Sequence, residues 1–244
     1  MANGIFWLTQ KVYRNAMTRT SQIVKMRGLE QLPGLHTFLI RQSGIEIFPR
    51  MIATPSYLGN TGTRAIDMTR LKTGVPMLDT MLDGGLPIDY SMLLIGPSGS
   101  GKTLLSTAFL AEGAAQNEAG VIASFEKSPR PLLNDKPDGL VRDGKVALVN
   151  MRSLDLSIDE TLHELVCVID KMNAKRVVLD SLSGFELALA QEFRDDFRES
   201  IYRMMTILTD KGVTVVLTME LEDRFGELHF SPYGSAFLTD AIVM

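Results

Sequence analysis

Met92-Leu93-Leu94-Ile95 is a compact apolar run, followed at once by Gly96-Pro97-Ser98-Gly99-Ser100-Gly101-Lys102-Thr103 and then by Leu104, Leu105, Ala108, Phe109 and Ala111. The first run has the length of a buried strand, and the last five residues recur at helical spacing. The eight residues between them fit G-x-x-x-x-G-K-[ST] in full, in the strand–loop–helix setting that the motif's chemistry requires. Glycines let the backbone curl so that successive N–H groups converge on phosphate oxygens, and the helix N-terminus adds partial positive charge. Lys102 supplies a point charge to the β- and γ-phosphates, and the Thr103 hydroxyl is placed to ligate Mg2+. All eight residues, Gly96 to Thr103, are read as a nucleotide-phosphate site.

Working outward, short apolar runs alternate with amphipathic stretches. Val121–Phe125, Val146–Val149, Arg176–Leu179, Thr214–Thr218 and Phe237–Val243 read as strands. Ser157 with Glu160 reads as a capping box ahead of Leu162, Leu165, Val166 and Ile169. Phe193, Phe197, Ile201, Met204, Met205 and Leu208 form one stripe of a long helix, read as core packing. Strands alternating with helices predict an α/β fold: a mostly parallel twisted sheet with helices on both faces. In such a sheet the ligand lies off the C-terminal ends of the strands. Asp180 ends the run Arg176-Val177-Val178-Leu179 and is the candidate second ligand of the Mg2+; capping the following helix, with no metal role, is the alternative. Glu126 ends the strand after the phosphate-loop helix, where a carboxylate could orient and deprotonate water; a solvated strand-end charge is the alternative.

The 244 residues are 45% hydrophobic and 22% charged, which excludes disorder. One cysteine, Cys167, excludes an internal disulfide; flanked by Val166 and Val168, it reads as buried. No run approaches the roughly 18 apolar residues of a membrane span, and Ile5–Leu8 is too short an apolar stretch for a signal peptide. A cytoplasmic protein is expected. Residues 1–50 carry seven basic side chains (Lys11, Arg14, Arg19, Lys25, Arg27, Arg41, Arg50) against Glu30 and Glu46, a surplus of five. The remaining 194 residues carry 18 basic and 27 acidic side chains, a deficit of nine. That asymmetry fits either a nucleic-acid-binding arm or a basic arm docked on an acidic neighbour, and the second reading is preferred. Only Thr37–Phe48 and short Ile5-Phe6-Trp7 suggest extended structure in the first 70 residues, and 51–70 reads as a linker. His36 and His163 lack partners at metal-ligand spacing.

Several spaced motifs now agree in order. Thr73-Gly74-Val75-Pro76-Met77-Leu78-Asp79, Gly84-Gly85-Leu86-Pro87, the phosphate loop, Phe125-Glu126, Leu179-Asp180-Ser181, Phe225-Gly226-Glu227-Leu228 and Tyr233-Gly234 together resemble a KaiC-type ATPase domain of the RecA superfamily. The resemblance covers about residues 71–244. It implies a RecA-like P-loop fold, ATP and Mg2+ as ligands, hydrolysis with Glu126 and Lys102 as the catalytic pair, and a homo-oligomeric, usually hexameric ring. Val24–Gly28, Phe38–Ile40 and Gly44–Pro49 resemble the segment leading from one such domain into the next. Residues 1–50 are therefore expected to be the end of a preceding repeat plus an inter-domain arm, in a tandem protein.

Two departures from the family bear on activity. Its strand-end glutamate is commonly doubled, whereas Lys127 stands second here; an ammonium there favours ionised Glu126 and implies slower turnover. The Ser-Thr pair that the clock member phosphorylates falls at Ala236 and Phe237, which have no hydroxyl. Arg224 and His229 are candidates for the cation that a ring neighbour inserts into the site. Three functions follow from the resemblance. The first is an ATPase switch read by protein partners of unknown identity. The second is a KaiC-like serine/threonine kinase or low-turnover nucleotide-binding regulator. The third is a DNA-acting relative, which the acidic core disfavours because no Lys/Arg cluster with interleaved aromatics is present.

Overall fold

The structure, a computed structural model, describes residues 3–13, 16–52, 69–125, 136–151, 157–189, 197–221 and 239–244. Strands β1 (Gly4–Tyr13) and β2 (Ala16–Met26) are rich in β-branched and aromatic residues and pair antiparallel over their whole length. Thr9 and Thr20 stand opposite each other, their hydroxyls 2.6 Å apart. Strands β3 (His36–Arg41) and β4 (Gly44–Phe48) complete a four-stranded sheet in the order β1-β2-β3-β4. The ribbon is far longer than the short Ile5–Trp7 strand expected. Its polar residues (Thr9, Gln10, Lys11, Thr18, Arg19, Thr20) interrupt any clean apolar alternation, so the sequence hides it.

This basic sheet touches the acidic remainder of the chain through ion pairs. Arg50 Nη2 lies 3.1 Å from Glu199, and Arg41 Nη2 lies 3.9 Å from Glu160. Phe48 is buried, with its ring edge-on to His163 at 5.9 Å between centroids. His36 is a satisfied structural histidine. Its Nδ1 accepts from the Arg50 backbone N–H at 3.0 Å and its Nε2 lies 3.2 Å from the Leu32 carbonyl, which fixes the proton on Nε2. Nearby Asp159 is buried against Arg203 Nη2 at 2.9 Å. Burial holds its carboxyl above the ordinary range, and the Arg203 guanidinium pulls the other way.

After β5 (Arg70–Leu71), α1 (Pro76–Met81) and β6 (Leu86–Pro87) comes the main sheet. Its strands are β7 (Ser91–Gly96), β8 (Gly120–Ser124), β9 (Val146–Asn150), β10 (Arg176–Asp180), β11 (Thr214–Glu220) and β12 (Ala241–Val243). Every pairing is parallel and the order is β12-β7-β11-β10-β8-β9. The inner strands β7, β8, β10 and β11 are largely apolar runs because both faces are covered, whereas the edge strands β9 and β12 expose Leu148 and Ile242. Leu93, Val121, Val177, Leu179, Val215 and Leu217 point into one core, with α4 (Ile158–Met172), α5 (Leu182–Ala188) and α6 (Phe197–Asp210). Met92, Leu94, Ile122, Val178 and Val216 point into the other, with Phe109 and Leu110 of α2 (Lys102–Ala115). A further helix, α3 (Lys136–Arg142), lies at a stretch whose Pro137 and Gly139 obscure a helical reading.

Helix α4 begins where the capping pattern placed it: the Glu160 N–H donates to Ser157 Oγ at 3.1 Å. Its buried face is Ile158, Thr161, Leu162, Leu165 and Ile169. Cys167, two residues from Leu165, falls off that stripe and is exposed, contrary to the expectation of burial.

At the opposite, N-terminal end of β10, Arg176 is fully buried. Its Nε meets Glu118 at 2.7 Å, and its Nη1 donates to the Lys72 and Phe109 carbonyls at 2.6 and 3.0 Å. The guanidinium sits 4.6 Å above the Phe109 ring. Gly113 on α2 makes room for it, since a Cβ there would lie 2.5 Å from the Arg176 side chain. One arginine thereby ties together α2, the segment between β5 and α1, and the inner strand β10.

Candidate functional site

Strand order makes the site. After β7 the chain crosses over β11 and β10 to reach β8, so the C-terminal ends of four adjacent strands, β7, β11, β10 and β8, line one edge. Gly96 of β7 pairs with Glu220 of β11, and the Leu221 N–H donates to the Gly96 carbonyl at 3.1 Å. On the other side, Asp180 of β10 pairs with Ser124 of β8, and the Phe125 N–H donates to the Asp180 carbonyl at 3.0 Å.

From Gly96 the loop Pro97–Gly101 is exposed and turns into α2. Gly101 is the N-cap with φ 96°, a left-handed conformation that a side chain would strain. Being glycine, it also brings no side chain to cap the helix, and no side-chain cap bond is made. The first-turn N–H groups of α2 therefore lack the usual internal acceptor, the arrangement that makes a helix N-terminus an anion site. Lys102 Nζ curls back over the loop and donates to the Gly96 and Pro97 carbonyls at 2.7 and 2.8 Å. Phosphate oxygens, being charged, are stronger acceptors for the same ammonium. Thr103 follows in the first turn and is half-buried.

Asp180 sits at the end of β10, as its place after an apolar run requires. The alternative role there, capping the next helix, is taken by its neighbour: the Gly184 N–H donates to Ser181 Oγ at 3.1 Å. Asp180 is left half-buried at the edge, with Oδ1 2.5 Å from the Thr218 hydroxyl. Thr103 offers a hydroxyl oxygen and Asp180 a carboxylate, donor types that suit Mg2+, a cation that takes few protein ligands and keeps waters and phosphates. The Thr73-Gly74-Val75-Pro76-Met77-Leu78-Asp79 segment closes on itself, with the Thr73 N–H and hydroxyl both donating to Asp79 Oδ1 at 2.7 Å.

Glu126 and Lys127 follow directly on Phe125 but lie outside the described residues, as do Arg224, His229, Ala236, Phe237 and the Phe225–Leu228 and Tyr233-Gly234 motifs. Two site-edge residues escaped the sequence reading. Glu220 ends β11 beside Gly96 and is exposed; Thr218 is fully buried beside Asp180. A threonine in a β-branched strand looks like packing, and only the strand order reveals its neighbour.

Among the described residues, no helix is long and apolar enough to cross a membrane. Residues 71–243 match the family described as "ATPase: KaiC". The circadian clock oscillator protein KaiC of Parasynechococcus marenigrum is 31% identical over 204 residues, covering 75% of this chain and 38% of that protein. The circadian clock protein KaiC3 of Synechocystis is 29% identical over 191 residues, 72% of this chain and 37% of its own length. The KaiC of Rippkaea orientalis is 28% identical over 234 residues, 93% of this chain and 43% of the relative. The chain thus spans about two fifths of the length of these relatives. A parallel sheet with the P-loop at its switch point, and a family match running from Leu71 to Val243, lead to one conclusion: the chain belongs to the KaiC ATPase family.

Proposed function

We propose that the chain binds ATP with Mg2+ at the α2 N-terminus and hydrolyses it, as a switch within a ring-shaped homo-oligomer whose state protein partners read. The observation that carries this reading is the uncapped Gly101–Lys102 helix start, set two strands away from the Asp180 carboxylate on one sheet edge. Backbone N–H groups of the loop after Pro97 and the Lys102 ammonium would hold the β- and γ-phosphates. Thr103 and Asp180 would hold Mg2+, which when bound neutralises charge on the phosphates. Glu126 would orient and deprotonate the attacking water. Support for that role is positional: Phe125, the residue before it, is hydrogen-bonded to the Asp180 backbone. Residues 1–50 would supply the end of a preceding repeat and an inter-domain arm, 51–70 a linker and 71–244 the ATPase domain, acting in the cytoplasm. Arg50–Glu199 and Arg41–Glu160 support the docking of that arm.

The deciding experiment is phosphate release from Mg-ATP by wild type and Glu126→Gln. The substitution is expected to lower turnover by about 10²- to 10⁴-fold, the usual contribution of a general base, with ATP affinity little changed. Equal turnover in the two proteins would remove Glu126 from the mechanism. Sedimentation with and without Mg-ATP reads the ring directly.

A further inference from the structure

Thr218 is fully buried in β11, the strand between the P-loop strand β7 and β10, and its hydroxyl lies 2.5 Å from Asp180 Oδ1. The register explains the meeting: Leu217 pairs with Leu179, so the next residue on each strand, Thr218 and Asp180, stand side by side. A hydroxyl donating to a carboxylate makes a short, charge-assisted bond. A β-branched side chain is also stiff about χ1, so the donor is held rather than floating. The Asp180 backbone is pinned separately by Phe125 on the other side, and Ser181 takes the capping duty of α5. Asp180 is therefore fixed at main chain and at one carboxylate oxygen, while Oδ2 takes no part in the Thr218 bond.

We infer that Thr218 is a positioning residue: it orients the Asp180 carboxylate toward the cation that accompanies the nucleotide, without touching nucleotide itself. This rests on the ATPase reading above. Outer groups that orient a metal-binding carboxylate typically contribute 10- to 100-fold in metal affinity. Their loss should appear in the metal dependence of binding and leave metal-free binding alone.

The test is equilibrium binding of a fluorescent ATP analogue across a Mg2+ titration, with a parallel series in EDTA. Thr218→Val keeps the shape and removes the hydroxyl. It is expected to raise the Mg2+ concentration at half-effect about tenfold, with EDTA-state affinity unchanged. Thr218→Ser, which keeps the hydroxyl, is expected to stay near wild type. Should the valine protein not fold, Thr218→Ser against Thr218→Ala makes the same comparison, since those two differ by the hydroxyl alone. A Mg2+ midpoint equal to wild type in the hydroxyl-free variant overturns the positioning role, as does serine behaving like valine or alanine. A wild-type chain whose analogue binding ignores Mg2+ altogether overturns the ATPase reading and this inference with it.

Discussion

Lys102→Ala is expected to weaken ATP binding about ten- to hundredfold, because a charged hydrogen-bonding group contributes roughly 1.5–3 kcal/mol. Turnover at saturating ATP is expected to fall by a further 10²-fold or more, the usual cost of removing one preorganised electrostatic donor. Lys102 Nζ already lies over the loop, within 2.7 and 2.8 Å of the Gly96 and Pro97 carbonyls. Gly101 leaves the α2 N-terminus uncapped beneath it. Removing the ammonium leaves the backbone N–H groups in place, so residual binding is expected to survive while catalysis does not. Calorimetric titration and phosphate release measure the two effects separately. Wild-type affinity in Lys102→Ala would contradict the assignment of this loop as the phosphate site.

Arg176→Ala is expected to cost stability, roughly 3–5 kcal/mol. The substitution takes the arginine donor from the Lys72 and Phe109 carbonyls, removes the partner of Glu118 and opens a cavity against the Phe109 ring. For a chain of this size that lowers Tm by about 6–20 °C. Part of the cost is mitigated because Glu118 is partly exposed and can rehydrate. Arg176→Met, which restores apolar volume, is expected to recover some of the loss and to bind ATP normally, since Arg176 begins β10 and the site lies at the strand's other end. Thermal unfolding followed by far-UV circular dichroism checks it. A Tm for Arg176→Ala within 2 °C or so of wild type would show that the cluster carries little of the fold's stability.

Arg176 and Thr218 show where reading a sequence stops. The P-loop was legible because its chemistry is local: eight contiguous residues supply the curl, the ammonium and the hydroxyl, and the flanking strand and helix announce themselves. Asp180 was legible because a carboxylate that ends an apolar run belongs at the C-terminal edge of a parallel sheet. The sheet's two faces were legible too, since continuous apolar runs and intervening helical stripes permit few other arrangements. Thr218 and Arg176 owe their roles to strand order, which brings residues 38 and 58 positions apart into hydrogen-bonding distance. Taken alone, one looks like a strand-packing residue and the other like a charge at a strand's exposed start. The β1–β2 ribbon was concealed for a different reason: its stability comes from pairing, and its polar residues mask the period of two. Cys167 misled because its two valine neighbours suggest burial, while the helix period turns it outward.

One site, built from the α2 N-terminus and the β10 edge, is expected to take a nucleoside triphosphate together with Mg2+. Calorimetric titration of ATP into the wild-type chain, first with Mg2+ and then with EDTA, tests it most directly. The expected result is saturable binding at one site per chain, about tenfold or more tighter with Mg2+ present. Absence of saturable binding at millimolar ATP, or equal affinity with and without the metal, would contradict it.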